Sequence, residues 1–430
     1  MKKSKFYLSF FIASAAFVVF AIMLISCPPL YEDPSGSIVK VNGELTLSKW
    51  NDTLFDIYSK GRYVTLDLSA CTPATSSDNA VLKHTNEDGN DFVADPLNIY
   101  NDYYQFDASS GNKNGKNLIR SIILPNVATM INNASNNIDI ESIEDADDDE
   151  TEMFAFRHFT NLRSISGKKV SLIGTFAFYN CKTLAEVDFP EAVIVMQFSF
   201  FNCTSLKKIR FESAKYINQS AFENCSGLEK AEFISAEYIE HRAFKNCTNI
   251  TEAYFPRARA VRPEAFRNCA KLKTARFHAD PWPRTTGNGH PLMPIGGGVF
   301  TTDTLAFHDN AFRGCKSLEI LDIRNAWNVY FAGGALADTG THLELHLFDD
   351  NGTKSWGHPQ LDLFLGDPDT QDPDDKGKVT LKTITIRATT VPSGQSQILK
   401  TSNDQRETGI VSDIENRYDK ITVTVIRGPA

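Results

Sequence analysis

Six cysteines stand in series along this chain. Cys181, Cys203, Cys225, Cys247 and Cys269 follow one another at intervals of 22 residues, and Cys315 comes 46 residues later, one interval plus an insertion. Each closes the same phrase: Ala177-Phe178-Tyr179-Asn180-Cys181, Ser199-Phe200-Phe201-Asn202-Cys203, Ala221-Phe222-Glu223-Asn224-Cys225, Ala243-Phe244-Lys245-Asn246-Cys247, Ala265-Phe266-Arg267-Asn268-Cys269 and Ala311-Phe312-Arg313-Gly314-Cys315. An earlier copy, Ala155-Phe156-Arg157-His158-Phe159, has Phe in the cysteine slot. A fixed period of this length means stacked coils, each of which buries its apolar edge only against the next. The copying also explains why Phe outnumbers Trp by 30 to 4.

The apolar positions inside a coil recur as well. Leu184, Val187, Phe189, Ala192 and Val195 return as Leu206, Ile209, Phe211, Ala214 and Ile217, and again as Leu228, Ala231, Phe233, Ala236 and Ile239. Val187-x-Phe189 alternates with period two, which predicts a short strand with those side chains turned inward. The small Ala192 marks a turn, and the Ala-Phe phrase begins the return arm. Weaker copies extend outward: Tyr63-x-x-Leu66-x-Leu68 and Ile119-x-x-Ile122-x-Leu124 before, Leu343-x-Leu345-x-Leu347, Leu381-x-x-Ile384-x-Ile386 and Ile421-x-Val423-x-Val425 after.

The L-x-x-L-x-L spacing and the A-F-x-N-C phrase resemble the BspA-type (Treponema pallidum-type) leucine-rich repeats of bacterial surface antigens. The clear copies cover 155–277 and 311–326. The resemblance implies a solenoid of repeats of about 22 residues, with a parallel β-sheet on the concave face and β-rich terminal caps. It implies adhesion: binding of host matrix proteins such as fibronectin or fibrinogen, or of other bacterial cells. A fold of this kind does not identify its ligand.

The N-terminus reads as an export signal. Met1–Lys5 is basic, Phe6–Ile25 is apolar apart from Tyr7, Ser9 and Ser14, and Leu24-Ile25-Ser26-Cys27 is followed by Pro28-Pro29. Leu-Ile-Ser-Cys resembles a lipobox, which implies cleavage before Cys27 and acylation of that residue, a membrane anchor of two or three acyl chains. The other reading is an uncleaved anchor, since the apolar run is long enough to span a bilayer. The reading of the whole chain is then a signal over 1–26, a lipidated tether and N-terminal cap over 27–60, a solenoid over 61–347, and an acidic loop with a β-rich cap over 348–430. The last region could instead be a small separate β domain. Asn42–Ser59 is expected to hold a strand and a short helix. Insertions fall at 72–115, 132–153 and 281–302, where they are expected to leave the solenoid as loops. The lipobox and the family resemblance imply a place in the bacterial envelope, on its outer surface.

Composition narrows the chemistry. With 44 Lys+Arg against 53 Asp+Glu, the net charge of −9 disfavours a protein held on nucleic acid or anionic lipid by overall charge. No G-x-S-x-G, H-E-x-x-H or P-loop occurs, so no enzyme activity is expected. The cysteine column lacks C-x-x-C, and a line of thiols does not converge as zinc ligands must. It reads as a ladder of buried, small apolar side chains. The asparagines beside it are expected to hold the turn through side-chain-to-backbone bonds. The acidic stretches 144–150 and 367–375 supply oxygens for calcium but lack EF-hand spacing, and read as solvated loops. His278, His290 and His308 lie near one insertion and read as ordinary loop residues. No metal and no cofactor besides the lipid at Cys27 is expected.

The binding surface is the outward column of the strands. Asp188, Arg210, Glu232, Tyr254, Arg276 and Asp322 occupy equivalent positions, with Glu186, Lys208, Lys230, Glu252 and Thr274 two residues before. Arg and Tyr are enriched at protein interfaces. This mixed-charge face predicts a protein ligand, and the 281–302 insertion adds Trp282 and His290 as loop candidates. An envelope scaffold that organises other proteins is the alternative.

Overall fold

The computed structural model describes residues 37–75, 82–85, 103–106, 111, 113–131, 156, 158–277, 304–323, 328–347, 360–362, 380–388 and 422–427. The expectations for Cys27, the signal, the acidic stretches, Trp282, His278 and His290 lie outside these residues.

The first coil is a strand-helix-strand unit: β1 (Ser37–Glu44), α1 (Leu47–Lys60) and β2 (Val64–Thr72), with β1 and β2 parallel. Thr46 starts α1 by accepting the Lys49 N–H on its hydroxyl at 3.2 Å. Gly61, at φ 61°, ends it. Trp50, Leu54 and Ile57, spaced i, i+4, i+7, turn one face of the helix into the core. A short antiparallel hairpin follows, β3 (Leu82–Thr85) with β4 (Tyr103–Phe106).

From there two strands alternate from coil to coil as far as residue 362. They are β5 (Ile119–Ile123), β6 (Met130–Ile131), β7 (Ser164–Ser166), β8 (Leu172–Ile173), β9 (Glu186–Asp188), β10 (Ile194–Val195), β11 (Lys208–Arg210), β12 (Tyr216–Ile217), β13 (Lys230–Glu232) and β14 (Tyr238–Ile239). The series continues as β15 (Glu252–Tyr254), β16 (Ala260–Val261), β17 (Thr274–Arg276), β18 (Thr304–Phe307), β19 (Ile320–Asp322), β20 (Asn328–Phe331), β21 (His342–Leu347), β22 (Gln360–Asp362), β23 (Thr383–Ala388) and β24 (Thr422–Arg427). The expected strands form one face, but in two pieces: β1-β2-β5-β7-β9-β11 and β13-β15-β17-β19-β21-β23-β24. The even-numbered strands from β4 to β22, with β3, build a second face, an 11-stranded sheet that the sequence pattern did not announce. It arises because the chain after the small Ala192 runs extended for only two residues. There the Val193 and Ile194 N–H groups bond the Ser171 carbonyl of the previous coil. Two paired residues per coil are too few to show period two. β23 and β24 continue the first face beyond residue 347.

The third side is the return arm, made of tight turns that also bond coil to coil. The Phe178 N–H donates to the Ser199 carbonyl at 2.7 Å and the Asn180 N–H to the Phe201 carbonyl at 2.9 Å. The turn needs a left-handed residue at its end. Asn180, Asn202, Asn224, Asn246 and Asn268 sit at φ between 59° and 63°, and Gly314 takes the same slot at 78°. Asn tolerates this conformation better than other side-chain-bearing residues. The side chains do not hold the turn through the backbone, as expected from sequence. They pair with each other: Asn202 Nδ2 donates to Asn180 Oδ1 at 2.6 Å, Asn246 to Asn224 at 2.9 Å and Asn268 to Asn246 at 3.0 Å.

The core is two interleaved columns of rings. Phe178, Phe200, Phe222, Phe244, Phe266 and Phe312 stack at centroid separations of 4.9 to 5.5 Å. Phe189, Phe211, Phe233, Phe255 and Phe277 stack beside them at 5.5 to 6.1 Å. The thiols are buried and free. They also donate: Cys203 to the Phe178 carbonyl and Cys225 to the Phe200 carbonyl, both at 3.0 Å, and likewise along the column to Cys315. Burial pushes the Cys181 thiol up to about 12. A thiol so placed is structural and stays protonated.

Candidate ligand-binding face

Wherever strands from β5 onward pair, they do so in parallel and without register shifts, which brings equivalent residues of the first face side by side. Asp188 lies beside Arg210, Glu232 beside Tyr254, and Tyr254 beside Arg276. Five of the six residues of the column read from sequence are exposed or half-buried. Asp322 is the correction. It is in register with Arg276 but only 2% exposed, so it is not presented to a ligand.

The charges pair along the columns. Lys208 Nζ meets Glu186 at 2.5 Å, Arg210 meets Asp188 at 3.3 Å and Glu212 at 2.8 Å, and Lys230 meets Glu252 at 3.2 Å. Glu212, then Asp188, holds the Arg210 guanidinium above its usual range, and Glu252 does the same for Lys230. Exposed pairs of this kind contribute little to stability. They lay out rows of mixed sign across the face, which suits recognition more than folding.

Toward the N-terminus the same columns change character. The register carries Glu186 back to Ser164 and Ser121, and Asp188 back to Ser166 and Ile123. Ser121 and Ser164 share a hydrogen bond of 2.7 Å. Where this low serine floor meets the tall charged rows, a hollow of about 590 Å³ opens, bounded by Ser121, Ser164, Asp188, Lys207, Arg210 and Lys230 among others. Neither serine lies in the strand repeats that begin at Leu184; each precedes the inward residue of its coil, Ser121 before Ile122 and Ser164 before Ile165, and that position is the signal for them in the sequence.

A second, smaller cluster lies on the return arm, with Phe176 and Tyr179 buried in it and Phe198 and Phe201 half-buried against them. Phe176, Tyr179, Phe198 and Phe201 stack in two coils at 5.0 to 5.8 Å. In the next coils the same slots hold an ion cluster around Glu264. Lys245 lies at 2.9 Å from it, Arg242 at 3.0 Å and Arg267 at 2.8 Å. Burial would raise the Glu264 carboxyl, but these three cations, Lys245 foremost, hold it down to about 2. His308 is buried, and burial and then Arg262 push it down to about 4. Among the described residues no cluster of His, Cys, Asp or Glu could hold a metal ion, and no helix is long and apolar enough to cross a membrane.

Residues 149–273 match the family described as "BspA type Leucine rich repeat region", in 6 copies. No curated protein matches the chain. Solved structures that resemble it include a leucine-rich repeat protein of T. pallidum, at 18% identity over 55% of this chain and 80% of that one, with a TM-score of 0.33. A leucine-rich repeat protein from Bacteroides ovatus aligns at 16% identity over 72% and 71% of the two chains, with a TM-score of 0.39. A leucine rich cell surface protein from Faecalibacterium prausnitzii aligns at 17% identity over 66% and 84%, with a TM-score of 0.33.

Proposed function

From a segment, residues 149–273, that is a BspA-type leucine-rich repeat region, we propose that this chain is a lipid-anchored, non-catalytic surface protein that binds a protein ligand through its first face. Repeats of this kind are scaffolds for protein interaction. The observation that carries the reading is the set of exposed, mixed-sign charges with Tyr254 and Arg276 beside the serine-floored hollow. Such a surface gains little stability from its own ion pairs and supplies the residue types that dominate protein contacts. The ligand is a host matrix protein of the fibronectin or fibrinogen kind, or another bacterial surface. Acylation of Cys27 would hold many copies in one membrane, so weak contacts would add up by avidity.

The test has two parts. Protease shaving of intact cells should release peptides from residues 155–326 while a periplasmic control stays intact. Binding to immobilised fibronectin or fibrinogen should then fall when Arg210 and Arg276 are reversed to Glu. Release of these peptides only after the envelope is broken would replace the adhesin with a periplasmic scaffold.

A further inference from the structure

The first face is interrupted at one place, between β11 and β13. In the neighbouring coils the residue after the strand donates its N–H to the next strand: Phe189 to the Arg210 carbonyl at 3.0 Å, Phe233 to Tyr254 at 3.0 Å, Phe255 to Arg276 at 2.9 Å. Phe211 has no such bond to Glu232. Glu229 likewise makes no bond to the Lys207 carbonyl, although Lys207 bonds Ala185 and Thr251 bonds Glu229, at 2.9 and 2.8 Å. The two coils are not apart elsewhere. Tyr216 and Tyr238 stack at 5.2 Å, β12 pairs with β14, and the Phe222 N–H reaches the Ala243 carbonyl at 2.8 Å. Only the first face splays.

One cause is visible. Lys208 and Lys230 occupy equivalent positions on the two strands, so like charges stand in neighbouring coils where the adjoining pairs are opposite; the run Glu186, Lys208, Lys230, Glu252 reads acid, base, base, acid. Just before the strands, at Gly227, the two coils are still in close contact, where a Cβ would lie 2.6 Å from the Thr204 carbonyl oxygen, so the splay opens after it. The consequence is a gap that reaches the core. Ile209 is half-buried, while Val187, Ala231, Ala253 and Ala275 in the same column are buried. The 590 Å³ hollow is lined by both strands and by Ile209. The pairing pattern of the intact neighbours sets which groups the gap frees: N–H groups of Ile209 and Phe211 on one side, of Lys230 and Glu232 on the other. Lys207, on the rim, has no carboxylate partner among the described residues.

We propose that this gap is where the ligand is anchored, and that it takes an extended segment of a protein with an apolar residue next to an acidic one. This rests on the first face being the binding face. The segment's peptide groups pair with the freed N–H and C=O groups, as a strand added to an open edge does. Its apolar side chain covers Ile209, and its carboxylate meets Lys207. Rim charges already paired to Glu186 and Glu252 fix the direction of approach.

Hydrogen exchange on the full chain, alone and with a pooled random dodecapeptide library as probe, tests this. Without peptide, the freed amides, those of Ile209 and Phe211 in 207–211 and of Glu229, Lys230 and Glu232 in 229–232, should exchange at least about 10-fold faster than their counterparts in 185–189 and 251–255. Enriched peptides should carry the apolar-acidic pair and slow exchange in those two segments. The double variant E186K/K208E makes the charge run alternate at constant net charge; it should close the gap and weaken those peptides about 10-fold. Equal exchange in all four segments would overturn the proposal. So would peptides that protect only 252–276, in which case the binding face stands and the anchor fails. Fast exchange at the gap with no peptide bound anywhere on the face would sink both.

Discussion

At the residue scale the repeat exposes departures from its own rule. Ser199 stands where the other coils have Ala, and its buried hydroxyl has no hydrogen-bond partner. Ser199→Ala should therefore raise stability, by about 1 kcal/mol, read as a higher denaturant midpoint. The asparagine column reverses an ordinary ranking. Asn246 sits at φ 61° and bonds both neighbours in its ladder. Asn246→Ala loses the bonds and strains the backbone, whereas Asn246→Gly loses only the bonds. The Gly variant should be the more stable of the two by about 1 kcal/mol, as Gly314 in the same slot implies. A urea titration of both variants decides it.

At the scale of the element, the columns govern pH behaviour. Cys71 and Cys181 are neutral in the fold because burial raises them, to about 11 and about 12, against an ordinary value near 9. Their contribution is intact below pH 9 and is lost as pH rises toward 11 to 12, because the unfolded chain ionises first. Native protein should resist thiol-modifying reagents at pH 8 until it is unfolded, and stability should decline through that alkaline window. Glu264 has the opposite sign. Held down to about 2, it contributes above pH 4.5, and that contribution is lost as pH falls toward 2. Lys245→Met should shrink this acid-dependent part of the unfolding curve. The strands of the first face were legible because three residues suffice to show alternation about an inward Val187 or Ala231. The two-residue strands of the second face were not, and neither was the asparagine ladder, which exists only between coils.

For the whole molecule, the solenoid has no centre, only neighbours. Phe222 touches rings of the coils on both sides, Phe200 at 5.1 Å and Phe244 at 5.3 Å. Phe222→Ala should cost about 3–5 kcal/mol. Protection from hydrogen exchange should be lost in the adjoining coils before the end coils, since each coil is held only by the next. Sequence alone determined the stacking, the period, the inward residues and which side chains share an outward column, because a repeat of constant length forces equivalent residues into register. It did not reveal that Asp322 is buried, that Ser121 and Ser164 floor a hollow, or that the first face parts between Lys208 and Lys230. Those depend on how far apart two coils settle, and that distance is set jointly by a glycine, two like charges and rings on the other sides, residues that no single repeat contains.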